Sequence, residues 1–272
     1  MLRNIRVLFA ISFLQGLVFY ASIATLYRRA AGLNMFEITA IESISMLLSL
    51  ALEIPWGMTA DRIGYRKTMV VCSFLFLLSK IVFWRAQSFG GFLLERILLA
   101  VVCAGISGVD ASILIASYSS EDTHRVFSWY STFGTCGLIC ASMAYSLLIG
   151  ENYRLAALLT VLSYGVAAIL SLLLQEIHME KQEKKRRFCG LGQLFDQLFG
   201  NKRLMMLTIA FAIFAECVQL TTVFLNQLQY ERCGWSAAWF GAAHVLSTVI
   251  MLLGAVSARC AKNLANGRWA RG

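Results

Sequence analysis

Ionisable side chains stand inside long apolar stretches of this chain. Glu42 and Glu53 are eleven residues apart, about three helical turns, so both carboxylates share nearly one face of a helix. Arg96 and Asp110 lie in a later apolar stretch. Exposing a charged group to lipid costs several kcal/mol, so each should face a cavity or a partner. The residues leave two roles open, a solute or proton site and structural pairing, for example of Arg96 or Asp110 with Glu42 or Lys80.

Other polar side chains interrupt further apolar stretches. Glu216 and Gln219 are three residues apart and so lie on one face of a helix. For His244 a proton role and an interior packing role are both open. For Gln15 and Tyr20, in the first apolar stretch, the alternative role is helix packing. These stretches add Gln15, Tyr20, Glu216, Gln219 and Asn226 to the candidates for a solute or proton site.

The elements that must position these residues are apolar segments of membrane-spanning length. The chain is 58% hydrophobic and 14% charged, with one proline in 272 residues, which is too little polar surface for a water-soluble fold. A helix crosses ~30 Å of hydrocarbon in about 20 residues and satisfies its own backbone hydrogen bonds. Eight helices are predicted, near 7–27, 36–56, 68–86, 92–118, 127–149, 154–175, 204–227 and 237–258.

The distribution of basic residues predicts the orientation of these helices. Seventeen of the 24 lysines and arginines fall in segments on the same side as the N-terminus. Cytoplasmic segments are enriched in Lys and Arg, so both termini are predicted to be cytoplasmic. The net charge of +9 then reflects membrane topology, and no nucleic-acid partner is expected. Arg28 and Arg29, assigned to an outer segment, are an exception that the pattern does not explain.

The longest connection, residues 176–203, contains the basic run Lys181–Arg187. Apolar residues follow it at helical spacing, at Leu191, Leu194, Phe195, Leu198 and Phe199. This pattern predicts a short amphipathic helix on the inner membrane surface, where anionic lipid attracts each basic residue by about 1 kcal/mol. A solvated linker is the alternative.

No pattern in the chain indicates an enzyme, a metal site or a cofactor. His-Glu-x-x-His and the phosphate-binding Walker loop are absent, and the eight cysteines include no Cys-x-x-Cys pair. Six of these cysteines lie in or at the edge of predicted helices, as small packing residues would. We therefore expect neither catalysis nor a bound cofactor.

Residues 57–67 read Gly-Met-Thr-Ala-Asp-Arg-Ile-Gly-Tyr-Arg-Lys and connect the second and third predicted helices. They resemble the loop at this place in the major facilitator superfamily, Gly-x-x-x-Asp-Arg-x-Gly-Arg-Arg/Lys-Arg/Lys, from which only Tyr65 departs. The resemblance implies that Asp61 helps to close an inner gate by facing the positive end of a helix from the other half. The gating motif comprises Gly57, Asp61, Arg62, Gly64, Arg66 and Lys67.

Three further stretches bear on the same resemblance. Glu53-Ile54-Pro55-Trp56 is similar to a Glu-Ile/Val-Pro-x-Gly stretch of bacterial members, and Arg96 resembles the arginine of the fourth helix, sometimes linked to proton transfer. Gly134, Gly137 and Gly150 lie in the fifth helix without the Gly-Pro of drug:proton antiporters, so that assignment stays open.

The resemblance implies an all-α, polytopic bundle made of two halves. Residues 1–175 would form the six-helix N-terminal half, 176–203 the connecting loop, and 204–272 two helices and a basic tail of the second half. Gly254 and Arg259 weakly repeat the gating motif, and a C-terminally truncated product is expected.

The function that this layout implies is transport of a small solute by alternating access, in the bacterial inner membrane. Efflux, uptake and coupling to protons remain open, as does the oligomeric state. The other reading is a truncated membrane fragment without transport activity, or an interaction partner of another membrane protein.

Overall fold

The computed structural model describes residues 2–117, 123–150, 152–176, 200–219, 221, 225–236 and 239–250. Every regular element within these ranges is helical. In chain order they are α1 (Leu2–Gly16), a 3-10 turn (Ala21–Ile23), α2 (Ala24–Ala30), α3 (Met35–Ile63), α4 (Tyr65–Arg85), α5 (Phe89–Ile106), α6 (Val109–Ser117), α7 (Thr123–Ala144), a π-helical turn (Tyr145–Ile149), α8 (Tyr153–Ser171), α9 (Lys202–Gln219), α10 (Asn226–Arg232) and α11 (Trp239–Ile250).

Six helical stretches of the described residues are long and apolar enough to cross a membrane. They are Arg3–Ala30, Met35–Leu52, Tyr65–Arg85, Phe89–Ile115, Val126–Ile149 and Tyr153–Ser171. These confirm the first six predicted helices and the all-α polytopic class. The predicted seventh helix corresponds to α9 and α10. The predicted eighth contains α11, and its end near 258 lies outside the described residues. The predicted surface helix at 191–199 and the predicted repeat at Gly254 also lie outside them.

The first spanning helix is broken and longer than predicted. α1 ends at Gly16, and the chain passes through the short turn at Ala21–Ile23 before α2 begins. The predicted end at residue 27 was wrong, because α2 continues to Ala30. Arg28 therefore lies within this helix, completely buried, and not in an outer connection.

The segment predicted as an eleven-residue hairpin loop contains a single non-helical residue. α3 continues through Ile63 and α4 begins at Tyr65, so only Gly64 separates them. Gly64 has φ +105°, a backbone conformation that favours glycine, and an added Cβ would lie 2.8 Å from a carboxylate oxygen of Glu176. Most of the sequence motif therefore belongs to two helix ends.

Glycines allow close helix contacts within the first six spans. A Cβ on Gly137 of α7 would overlap the carbonyl oxygen of Phe13, and one on Gly16 would overlap that of Gly134. α1 and α7 consequently pack backbone to backbone, as small residues allow in membranes. The fourth span breaks at Ser107–Gly108, and Gly108 has φ +82°.

Buried apolar side chains form two clusters, at opposite ends of the bundle. One surrounds Tyr20, Phe83 and Phe92, and the other lies near Gly64 and includes Leu8 and Met69. Large apolar side chains cover the outside, for example Leu47 and Leu148, which are 70% and 83% exposed. A surface of this kind suits lipid rather than water.

Candidate functional site

A cluster of four charged side chains lies between the second, fourth and broken first spans. Arg28 Nη1 lies 2.6 Å from Glu42 Oε1, and Arg96 Nη2 lies 2.7 Å from the same oxygen. Glu95 Oε2 is 3.4 Å from Arg96 Nε and 3.7 Å from Arg28 Nη2. The two arginines thus alternate with the two glutamates. Because α2, α3 and α5 each contribute, the cluster fixes these helices to one another.

Burial makes these charges energetically important. The side chains of Arg28 and Glu95 are 0% and 1% exposed, whereas those of Glu42 and Arg96 are about one fifth exposed. The guanidinium of Arg28 also lies 5.9 Å from the ring centres of Phe83 and Phe92. Buried charges are tolerated when they are paired in this way. Glu42 and Arg96 are therefore brought together as the pairing hypothesis expected.

Lys80 provides a third cation beside the cluster. Its ammonium group donates a hydrogen bond to the hydroxyl oxygen of Tyr20 at 3.1 Å and lies 5.0 to 5.6 Å from the rings of Phe76, Tyr164 and Tyr20. The Tyr164 hydroxyl in turn donates to the backbone carbonyl of Gln15 at 2.6 Å. Aromatic faces stabilise a desolvated cation, which explains a lysine at 5% exposure.

The candidate Asp110 is placed apart from this cluster. Asp110 lies in the first turn of α6, where its carboxylate accepts a hydrogen bond from the Ala111 amide at 2.7 Å and bonds the side chain of Tyr130 on α7. Within the described part of the chain, no ion pair includes Asp110. The side chains of Glu53, Glu216 and Gln219 lie outside the described residues.

The gating motif is anchored to the end of the sixth span. The backbone amide of Arg66 donates to a Glu176 carboxylate oxygen at 3.4 Å, and Arg66 Nη2 donates to the Leu172 carbonyl oxygen at 3.2 Å. Arg62 and Lys67 are exposed. The side chain of Asp61 lies outside the described residues, so its expected partner stays a prediction.

At the opposite end, the two predicted halves meet at the break in the first helix. The carboxamide oxygen of Gln227, on α10, accepts a hydrogen bond from the Thr25 amide at 3.0 Å, and its nitrogen donates to the Ala21 carbonyl at 3.3 Å. An ion pair joins Arg29 to Glu231. We call the contacts of Gln227 and the Arg29–Glu231 pair the latch.

Gly241 of α11 adds a close contact between the halves. A Cβ at this position would overlap the Ser142 carbonyl oxygen and the Ser146 hydroxyl oxygen in the fifth span. Phe240 beside it is 2% exposed and belongs to the apolar cluster around Tyr20. Packing and polar contacts therefore join the two predicted halves at the same end.

Sequence reasoning missed Arg28, because it was assigned to a connection beyond the first helix. Glu95 was not selected as a candidate, and Lys80 was named only as a possible partner of Arg96 or Asp110. One signal did point to Arg28, because it was an exception to the bias of basic residues toward the inner side. An arginine at the outer end of a helix can turn its side chain into the bundle and pair with an acidic residue there.

These features describe a polytopic helical membrane protein with buried ion pairs and a basic, glycine-containing connection between its second and third spans. The chain belongs to the Major Facilitator Superfamily, whose family model matches residues 7–271. No curated protein matches the chain.

Solved structures share the fold at low sequence identity. A crystal structure of a mutant of the nucleoside transporter NupG has a TM-score of 0.71 at 19% identity and covers 90% of this chain. A bacterial homologue of the human lysosomal transporter Spinster, in an inward-facing and unoccupied conformation, has a TM-score of 0.73 at 17% identity and covers 93%. The human organic anion transporter MFSD10 has a TM-score of 0.62 at 16% identity and covers 92%. The chain spans 64%, 61% and 70% of these three proteins, respectively.

Proposed function

We propose that this chain is a secondary transporter that carries a small solute across the membrane by alternating access. Residues 1–175 are the first half, 176–203 the connecting loop and 204–272 part of the second half. The observation that supports this best is the contact of Gln227 with the broken first helix. Alternating access requires contacts between the halves that form at one end of the solute path and can separate again.

We further propose that the protein lies in the bacterial inner membrane with both termini in the cytoplasm. The bias of basic residues supports this orientation, as do the exposed Arg62 and Lys67 beside Gly64. The gating motif then faces the cytoplasm, and the latch faces the outside. In this proposal Asp61 contributes to the inner gate with Arg62 or Arg66 as its local partner.

Protons are the coupling ion that we propose for this transport. Glu42 lies between two arginines and suits a structural ion pair, whereas Asp110 is held by Tyr130 and a backbone amide. Asp110 is therefore the better candidate to exchange a proton. The other proposed site residues are Gln15, Tyr20, Glu53, Arg96, Glu216, Gln219 and Asn226.

The decisive experiment is solute flux through the purified 272-residue chain in liposomes. Vesicles loaded with a mixture of isotope-labelled metabolites should lose particular members faster than protein-free vesicles, and Asp61→Ala should abolish the difference. Arg85→Gln, an exposed change outside the proposed sites, should leave flux unchanged. Equal loss from protein-containing and protein-free vesicles would contradict transport by this chain and favour a membrane protein that acts through a partner.

A further inference from the structure

A cavity of about 200 Å³ lies between the two halves, beside the latch. Its walls come from the turn of the first helix, the fifth span, α10 and α11. The side chains that matter to the argument are Ser22, Asn226, Gln227, Tyr230, Phe240 and His244. Because both predicted halves supply walls, the cavity exists only when the halves meet at this end.

Two residues that line this cavity each have a buried polar atom without a hydrogen-bond partner among the described residues. These atoms are the hydroxyl oxygen of Ser22, a residue 3% exposed, and Nε2 of His244. Buried polar groups in folded proteins are nearly always paired with protein or water. A hydroxyl and an imidazole nitrogen from opposite predicted halves therefore lack a partner, which a molecule that both donates and accepts hydrogen bonds would supply from the cavity that their residues line.

The described lining of the cavity contains no aspartate, glutamate, lysine or arginine. An ion that enters such a site loses part of its hydration without gaining a counter-charge, which disfavours its binding. The charged side chains of the ion-pair cluster, such as Arg28 and Glu42, are not among the lining residues. The chemistry of the walls thus discriminates against charged solutes.

The aromatic side chains restrict the shape of the occupant. The rings of Tyr230 and Phe240 form an edge-to-face pair with centres 5.4 Å apart, and Tyr230 also stacks on Trp235 at 5.2 Å. A wall of packed rings suits a flat, apolar part of a ligand. At about 200 Å³ the cavity is smaller than the 300–1,000 Å³ typical of drug-sized ligands.

We propose that this cavity binds a small, uncharged solute that carries a flat ring and hydrogen-bonding groups. This inference rests on the proposed function, because it names the class of solute that the transporter carries. Ser22 and His244 hydrogen-bond the solute from the two halves, and Tyr230 and Phe240 contact its ring. The solute consequently stabilises the state in which the halves are closed at the latch.

The test is calorimetric titration of the purified full chain with matched pairs of uncharged and charged molecules. Benzamide and nicotinamide are the uncharged members, and benzoate and nicotinate are their charged counterparts of nearly equal shape. We expect the amides to bind at least tenfold more tightly than the acids. Ser22→Ala and His244→Leu should each weaken amide binding about tenfold, whereas Ser45→Ala, outside the cavity lining, should not.

Three results would overturn the proposal: no binding of either amide, equal binding of amides and acids, or unchanged amide affinity in both cavity variants. The first would leave the cavity with water only. Flux of the same molecules through liposomes separates this proposal from the transport function. Selective binding without flux would retain the site and contradict transport, while flux that does not discriminate by charge would retain transport and contradict the site.

Discussion

At the scale of single residues, Arg28 shows how a charge can be held inside a membrane protein. It contacts Glu42 and Glu95 from a helix that begins only four residues earlier, at Ala24. Its neighbour Arg29 forms an exposed ion pair instead, with Glu231. Two consecutive arginines therefore have different environments, and this difference can be measured.

We expect Arg28→Met to destabilise the protein by about 3–5 kcal/mol, because Glu95 would remain buried with one cationic partner fewer. Arg29→Met, which removes a pair whose side chains are 42% and 46% exposed, should cost about 0–1 kcal/mol. Reversible unfolding of both variants in mixed micelles measures the two free energies. Equal losses would contradict the difference in burial.

Asp110 provides a second test at this scale. If it exchanges the coupling proton, Asp110→Asn should remove the acceleration of solute flux by a pH gradient while downhill flux of the same solute continues. Glu42→Gln is the comparison, since a structural ion pair affects stability more than coupling. Flux assays in liposomes with and without the gradient distinguish the two variants, and full gradient dependence in Asp110→Asn would rule this residue out.

The sequence was informative about some of these residues and not about others. Glu42 and Arg96 were selected because charged residues in apolar helices need partners. The alternative of structural pairing predicted the contact that they make. Arg28 was missed because hydropathy places a helix end where the apolar run stops, whereas the helix continues when a partner inside neutralises the charge. Such compensation depends on residues distant in sequence, here Glu95.

At the scale of helices, substitution by alanine distinguishes a glycine that the backbone turn requires from one that it does not. Gly64→Ala should cost about 1–3 kcal/mol, because alanine disfavours a φ of +105° and its Cβ would crowd Glu176. Gly57→Ala, within α3 and with no atom within 4 Å of an added Cβ, should be neutral or stabilising by up to about 1 kcal/mol. Thermal unfolding of both variants decides the sign at each position.

The contact between α1 and α7 gives another prediction. Gly137→Ala should destabilise by about 1–3 kcal/mol, because a methyl group would push the helices apart. Gly165→Ala in α8 is the matched control, since its nearest neighbour would be the Leu77 Cδ1 atom at 3.9 Å. Unfolding in the same detergent compares them, and similar stability of the two variants would show that α1 and α7 separate without penalty.

Helix bounds were the less predictable part of the fold. The number and order of the first six spans followed from apolar length alone. The end of α3 did not, because Gly57 and the polar residues after it read as a connection, although all but Gly64 continue a helix. The break at Gly108 was not predicted either, since residue spacing does not reveal a positive φ.

At the scale of the whole molecule, the proposed function gives the latch control of access from one side. Gln227→Ala removes two hydrogen bonds, each worth about 0.5–1.5 kcal/mol, so the closed state should lose at least fivefold in population relative to the open one. A membrane-impermeant thiol reagent added outside should label Ser22→Cys faster in this background. The control is Gln229→Ala, an exposed change on α10. Equal labelling rates in the two backgrounds would contradict the latch.

The single-residue connection at Gly64 also bears on how the protein is made. Met35–Ile63 and Tyr65–Arg85 cannot be separated by an extended connection, so neither helix can wait in water while the other is in lipid. We therefore expect the two helices to enter the membrane together, as one helical hairpin. The residue that shapes the turn thus makes membrane entry of these two helices a concerted event.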